Sequence, residues 1–509
     1  MKRTRQLKNS TKTIICISLC IISFLFWGNK KQGYFIDEIY SFGISNSEYG
    51  PFINNYAKDN DYKLSKDEIK NYLTVSNSTR LNFHNVYKNT SIDNGAPFYY
   101  FILHSVCSLN VGVFNKWLGL SINLLLYLLS LLLILKISFY IYSDKKYANA
   151  TLLLFGLSTT MISIAMMVRL YMLFVFETLL FVWLFLPTLK TKPEVWRIIL
   201  ILIVLFLSLT THYLFLNFIV SIVLFGLIQL FYNKTKKKKF STNHFILYGT
   251  IVILTAFTLL AFTPFTKQLL SKEHFDNGIS MMNNILHPSL WLMKAVKYSY
   301  AMCLGMTIAV LFCLIYIFKS IYRRIKQKDS IYNESIVFIF FIITIVSVST
   351  IISAPHTSFR YIANVVSLIA IPAAKELIDC TKRNIFLRYI VVLLIVLTPF
   401  FIKPQFIYSE YAPYKALLNS YNDSVCVFQC KDPLNHKSLT WHLPYLSMMK
   451  ECLIAGPNMK YQLQHFISDN NNPNHLIVYS ESLSDIEGYN PTVHLFDWVG
   501  CEVWRYDRQ

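Results

Sequence analysis

Apolar runs of about 16 to 25 residues, separated by short polar connections, dominate the first four-fifths of the chain. A helix crossing a bilayer needs roughly 20 apolar residues. The runs near 13–28, 116–140, 147–166, 170–187, 195–211, 213–232, 243–263, 296–318, 335–353, 361–379 and 385–402 therefore predict eleven spans. The first run ends in bulky Phe26-Trp27 and reads as an uncleaved span rather than a leader. The stretch 97–113 is short and carries His104, Ser105 and Ser108, so it is expected to lie at the interface.

Two polar regions interrupt the pattern. The first loop, 29–96, holds the capping box Ser65-x-x-Glu68, which opens a short helix. Ile36–Ser47 also reads as helical, with Ile36, Tyr40, Gly43 and Ile44 on one face. The tail from Lys403 predicts strands at 424–428, 475–479 and 493–504, and helices at 411–421 and 443–453. The expected organisation is a transmembrane domain over 1–402 and a small α/β extracytoplasmic domain over 403–509.

Charge orients the chain. Only 15% of residues are charged, 54% are hydrophobic, and the net charge is +20. In a soluble protein that excess would suggest nucleic acid. Here Lys and Arg gather in alternate short connections: Lys2, Arg3 and Arg5; Lys145 and Lys146; Lys190 and Lys192; Lys236–Lys239; Arg323 and Arg324; Lys382 and Arg383. The positive-inside rule makes those connections cytoplasmic, with an extracytoplasmic C-terminus. Anionic lipid, not nucleic acid, is the expected partner of the charge. The tail cysteines Cys426, Cys430, Cys452 and Cys501 match no tight zinc spacing, and one or two disulfides are open among them.

That topology places five motifs at the outer face. Asp37 and Glu38 follow the first span, where a carboxylate serves as a base or metal contact, or merely caps a helix. Asp93-Asn-Gly-Ala-Pro97-Phe-Tyr99-Tyr100 closes the first loop. Arg169-Leu-Tyr171 joins two apolar runs, and Thr211-His212-Tyr213 splits another. His356 and Arg360-Tyr361 precede a late run. An arginine between two spans is costly unless an anion meets it, and a phosphate matches its fork. Each motif has a bland reading: a solvated cap, an interfacial anchor, a snorkelling cation, a bonded turn histidine. Together they suit a lipid-linked phosphate.

The order and spacing of these motifs resemble the GT-C glycosyltransferases, and within them bacterial glycosyltransferase family 39, the dolichyl-phosphate-mannose-protein mannosyltransferase and aminoarabinose transferase group. The resemblance covers about residues 13–400. It implies an all-α polytopic fold of about eleven, up to thirteen, transmembrane helices with a long first outer loop. It further implies a polyprenyl-phosphate-linked sugar donor and a glycan, lipid or protein acceptor. By the same resemblance Asp37, with Glu38 beside it, acts on the acceptor, with room for a divalent metal near Asp37. Arg169, His212 and Arg360 hold the donor phosphate, while Asp93, Tyr100, Tyr171, Tyr213 and Tyr361 shape the pocket. Two positions depart from the pattern: Ala96 stands where many members have a first proline, and Met167 where many have a glutamate. A lipid transporter or flippase, or a lipid-linked glycan polymerase or ligase, is the alternative reading.

Overall fold

The computed structural model describes residues 2–93, 95–235, 242–261, 288–327, 333–353, 357–481 and 485–509. Lys236–Lys239 and His356 lie outside them. The chain divides into two compact units. One comprises 1–29, 94–98 and 120–405; the other comprises 30–93, 99–119 and 406–509.

The first unit is a helical membrane bundle. Among the described residues, six helices are long and apolar enough to span: Thr11–Lys30, Lys116–Tyr142, Tyr171–Leu189, Phe215–Tyr232, Thr242–Ala261 and Glu334–Ser353. Two bent pairs raise the number to eight if each is one span. Lys145–Gly156 and Thr159–Met166 meet at 56°, because Ser158 caps a new helix by accepting from Met161 N at 3.2 Å. Trp291–Gly305 and Thr307–Lys326 meet at 109°, so the run expected as one straight span over 296–318 turns sharply at Met306. The helices Val195–Thr211 and Ile385–Phe401 fall below the length of a full straight span. The run at 361–379 is also broken, into 3-10 turns at Phe359–Tyr361 and Ser367–Ile369 and helices at Ala363–Val366 and Ala370–Cys380. Pro372 has no N–H to continue the ladder and sits in the first turn of the last piece, where none is needed.

The second unit is an α/β sandwich built from the first loop and the tail. Its strands are β1 (Lys63–Ser65), β2 (Val425–Gln429), β3 (Glu451–Ala455), β4 (His475–Ser480), β5 (Tyr489–Trp498) and β6 (Cys501–Arg508), in the order β1-β3-β2-β4-β6-β5. β2 runs parallel to β3 and β4, and the remaining pairs are antiparallel. Alternation divides the buried strands between two cores. Val425, Val427, Leu453, Leu476 and Val478 face one side, against Leu463 and Phe466. Cys426, Phe428, Cys452, Ile477 and Tyr479 face the other, against Leu443 and first-loop residues Ile39, Ile53, Ile69 and Tyr72. The first loop therefore supplies both an edge strand and half the cover of the tail's sheet.

Local differences from the expected tail have physical causes. The strand expected at 493–504 is a hairpin, turning where Val499 and Gly500 take φ of 40° and 78°. The helix expected at 443–453 ends at Leu446, and its second half is β3, buried between β1 and β2. A short apolar run has no period that separates a buried strand from a helix. The four tail cysteines are buried thiols with no disulfide among them.

Two contacts fix the first-loop helix Ile36–Asn46. Gly43 leaves a slot for the Tyr72 ring, which a Cβ there would meet at 2.1 Å. Glu38, fully buried, accepts from Lys31 Nζ at 2.9 Å and from Phe35 N at 2.6 Å. Lys31, also fully buried, donates in turn to the Phe406 carbonyl at 2.5 Å. Removing one partner of a buried pair leaves the other charge unmatched, at about 3–5 kcal/mol. Lys31→Met should lower the melting temperature of the protein markedly, and Lys31→Met with Glu38→Leu should recover most of the loss. Equal melting of Lys31→Met and wild type would show that the pair anchors nothing.

Candidate functional site

Within the membrane unit, one cluster gathers at the ends of several helices. Arg169 lies in the bend before the helix Tyr171–Phe185. The bend is held from behind by Asn123, whose Nδ2 donates to the carbonyls of Ala165 at 3.0 Å and Met167 at 2.7 Å. Arg360 sits in the 3-10 turn Phe359–Tyr361, its guanidinium 5.3 Å from the ring centres of both Tyr171 and Tyr361. A cation facing aromatic rings recovers part of its lost hydration.

His212 ends the helix Val195–Thr211 and completes the cluster. Its ring stacks on Phe174 at 5.2 Å and lies 5.8 Å from Tyr171 and 6.3 Å from Tyr361. Burial first, then the charges of Arg169 and Arg360, push its imidazole down to about 3. The ring is therefore neutral at ordinary pH. Leu214 N donates to its Nδ1 at 3.1 Å, which puts the single ring proton on Nε2. The result is two guanidinium groups, one neutral N–H donor and a tyrosine wall, a set suited to an anionic oxygen group. Tyr213, half-buried, follows in the same turn.

Sequence reasoning missed the layer beneath. Glu177 is buried two turns into the Tyr171–Phe185 helix, with Oε1 accepting from Thr211 Oγ1 at 2.8 Å. No partner for its Oε2 occurs among the described residues. Beside it, Asn364 Nδ2 donates to Thr178 Oγ1 at 3.2 Å, tying the broken helix after Arg360 to the helix after Arg169. Glu177 was findable, since a lone acid in an apolar run is rarely idle. Asn123 and Asn364 carried no such signal.

The other predicted residues belong to the second unit. Asp37 and Glu38 occupy the first turn of the helix Ile36–Asn46, where the helix dipole favours acids. Asp37 is half-buried, whereas Glu38 is enclosed in its pair with Lys31. Asp93 ends the helix Phe83–Ile92 and, with Tyr40, lies within electrostatic reach of Tyr72. Tyr100 is fully buried against Tyr99. Among the described residues, no group of three or more His, Cys, Asp or Glu is placed to hold a metal ion.

Composition and the long apolar helices define a multi-pass membrane protein. The chain is similar in structure to ArnT, an aminoarabinose transferase, from Cupriavidus metallidurans bound to undecaprenyl phosphate. The TM-score is 0.52 at 10% identity, over 97% of each chain. Archaeal oligosaccharyltransferase AglB from Archaeoglobus fulgidus, in complex with an inhibitory peptide and a dolichol-phosphate, overlaps at 0.42 and 10% identity, over 93% of this chain and 70% of that one. An Archaeoglobus fulgidus oligosaccharyltransferase complexed with Zn and sulfate overlaps at 0.36 and 14% identity, over 76% of this chain. The chain spans 59% of the length of that oligosaccharyltransferase. The ArnT likeness establishes the fold; the two weaker overlaps add nothing to it. No family model and no curated protein sequence matches the chain.

Two outcomes test the site as built. An unfolded histidine titrates near 6.5, above the folded value of His212. The unfolded chain then binds more protons, so this stability is complete above about pH 6.5 and is lost as pH falls towards 3. His442 in the tail, buried and also pushed down to about 3, acts with the same sign. His212→Gln should therefore reduce, not abolish, the fall in melting temperature between pH 7 and pH 4. Thr211→Val removes the donor to Glu177 and should cost about 2 kcal/mol, whereas Thr211→Ser should cost far less. Melting curves for the two variants read the difference.

Proposed function

We propose that the chain is a membrane glycosyltransferase that moves a sugar from a polyprenyl-phosphate-linked donor to an acceptor hydroxyl on the extracytoplasmic side. The observation that carries this reading is the meeting of Arg169, Arg360 and a neutral His212 within a tyrosine wall. The undecaprenyl phosphate bound by ArnT, which shares the fold, supports the donor class. Arg169 and Arg360 hold the donor phosphate, and His212 donates Nε2–H to it. Tyr171, Tyr213 and Tyr361 line the sugar's approach. Asp37 is the base and Glu38 its structural support, because Glu38 is committed to Lys31 and to the helix start. Asp93 and Tyr100 shape the loop that meets the acceptor.

The reaction follows from those roles. The acceptor O–H gives its proton to Asp37 as its oxygen bonds the sugar C1. The bond from C1 to the phosphate oxygen breaks, and polyprenyl phosphate leaves with the electron pair. A single displacement inverts the anomeric centre. Charge grows on the departing phosphate, where preorganised donors act most strongly. The positive-inside bias puts this chemistry outside the cell membrane, with eleven crossings and a cytoplasmic N-terminus.

A transfer assay with a polyprenyl-phosphate sugar in proteoliposomes tests the proposal. Arg169→Ala and Arg360→Ala should each lower kcat/KM by about a hundredfold or more. Asp37→Asn should abolish turnover while donor binding persists. Wild-type rates in either arginine variant, or in Asp37→Asn, would refute the assigned roles. Movement of the lipid across the vesicle without sugar transfer would favour the transporter reading.

A further inference from the structure

A second basic hollow lies within the membrane unit, far along the bundle from the arginine cluster. A cavity of about 330 Å³ opens where the helices Lys2–Lys30, Lys116–Tyr142 and Lys145–Gly156 meet. That is within the usual range for a small-molecule site. Lys136 and Lys145 line it, with Thr13 and Asn149, and among the described residues no acid does. Ile14 and Phe139 form exposed apolar flanks. Asn123, which holds the Arg169 bend, lies thirteen residues from Lys136 on the same helix, or about 20 Å along its axis.

Three observations bear on the occupant. Lys136 stands about 9 Å inside the end of an apolar helix, where a cation is costly unless an anion meets it. The Trp183 ring, 5.2 Å away, offsets part of that cost. Asp144, the acid closest in sequence to Lys145, is engaged by Lys146, at 3.1 Å from Nζ to Oδ2 and 2.9 Å from N to Oδ1. Thr13 Oγ1 donates to Asn149 Oδ1 at 2.8 Å, and the Asn149 amide also carries N–H donors. The hollow thus offers two ammonium groups and an amide N–H beside apolar surface that faces lipid.

We propose that this cavity binds the phosphodiester headgroup of an anionic glycerophospholipid. The phosphate lies between Lys136 and Lys145, and the acyl chains run along Ile14 and Phe139. Net negative charge is required because two cations line the hollow and, among the described residues, no acid lines it to balance them. A zwitterionic headgroup would bring its own ammonium group into the same space. The site rests on the membrane reading of the helices and is independent of the transfer chemistry.

Native mass spectrometry of the purified full chain, titrated with phosphatidylglycerol or phosphatidylcholine of identical acyl chains, tests it. Wild type should retain phosphatidylglycerol preferentially. Lys136→Met with Lys145→Met should weaken that retention about thirtyfold, from about a fivefold loss per lysine. Lys136→Arg with Lys145→Arg should keep it, which separates lost charge from lost folding. Lys382→Met with Arg383→Met, equal in charge but outside the cavity, should also keep it. Equal retention of the two lipids by wild type would overturn the proposal, as would matching losses in the cavity pair and the control pair. Displacement of phosphatidylglycerol by polyprenyl phosphate, at a concentration where added phosphatidylglycerol does not displace itself, would overturn it in favour of a second polyprenyl site.

Discussion

Positive charge held where water is scarce is the constraint on which the membrane unit turns. Arg169 and Arg360 sit between apolar helices, so each needs a compensating environment before any ligand arrives. Ring faces of Tyr171 and Tyr361 supply it for Arg360. His212 adjoins both guanidinium groups, and their charge, added to burial, keeps its imidazole neutral. Three cations packed together would repel one another; two cations and a neutral donor make a set suited to an anionic oxygen group. The Asn123 clamp and the Asn364–Thr178 bond keep the two arginine-bearing turns in place.

The second unit answers a different problem. A loop of some sixty polar residues could not hold a helix still by itself. Here the loop gives β1 to the tail's sheet and lays Ile39, Ile53 and Tyr72 over one of its faces. The Lys31–Glu38 pair then joins the start of the helix carrying Asp37 to the Phe406 carbonyl at the tail's entry. In the proposed reaction Asp37 removes a proton, a role that needs a fixed backbone beneath it, and the enclosed Glu38 supplies that better than a solvated neighbour would. Adjacent acids in sequence thus sit in different surroundings, one half-buried and one enclosed.

Much of this was legible in the order of residues. Hydropathy gave the membrane class, and the Ser65–Glu68 box and the Ile36–Asn46 helix follow from local chemistry. Isolated arginines in apolar runs marked Arg169 and Arg360. What escaped depended on partners distant along the chain. Glu177 gains its meaning from Thr211, and Asn123 from two carbonyls more than forty residues away. The bend at Met306 and the breaks after Arg360 left no trace in hydropathy, because a bent apolar segment has the same composition as a straight one.

The sequence by itself determined the solvent of each segment, since transfer free energy depends on side-chain composition and run length alone. It also determined which cations would be costly. Only the tertiary structure decided that Arg360 and His212 share a cluster with Arg169, that the first loop completes the tail's sheet, and that Glu38 is enclosed while Asp37 is not. Those outcomes depend on short-range contacts and hydrogen bonds between residues hundreds of positions apart, and such contacts exist only once the chain has packed.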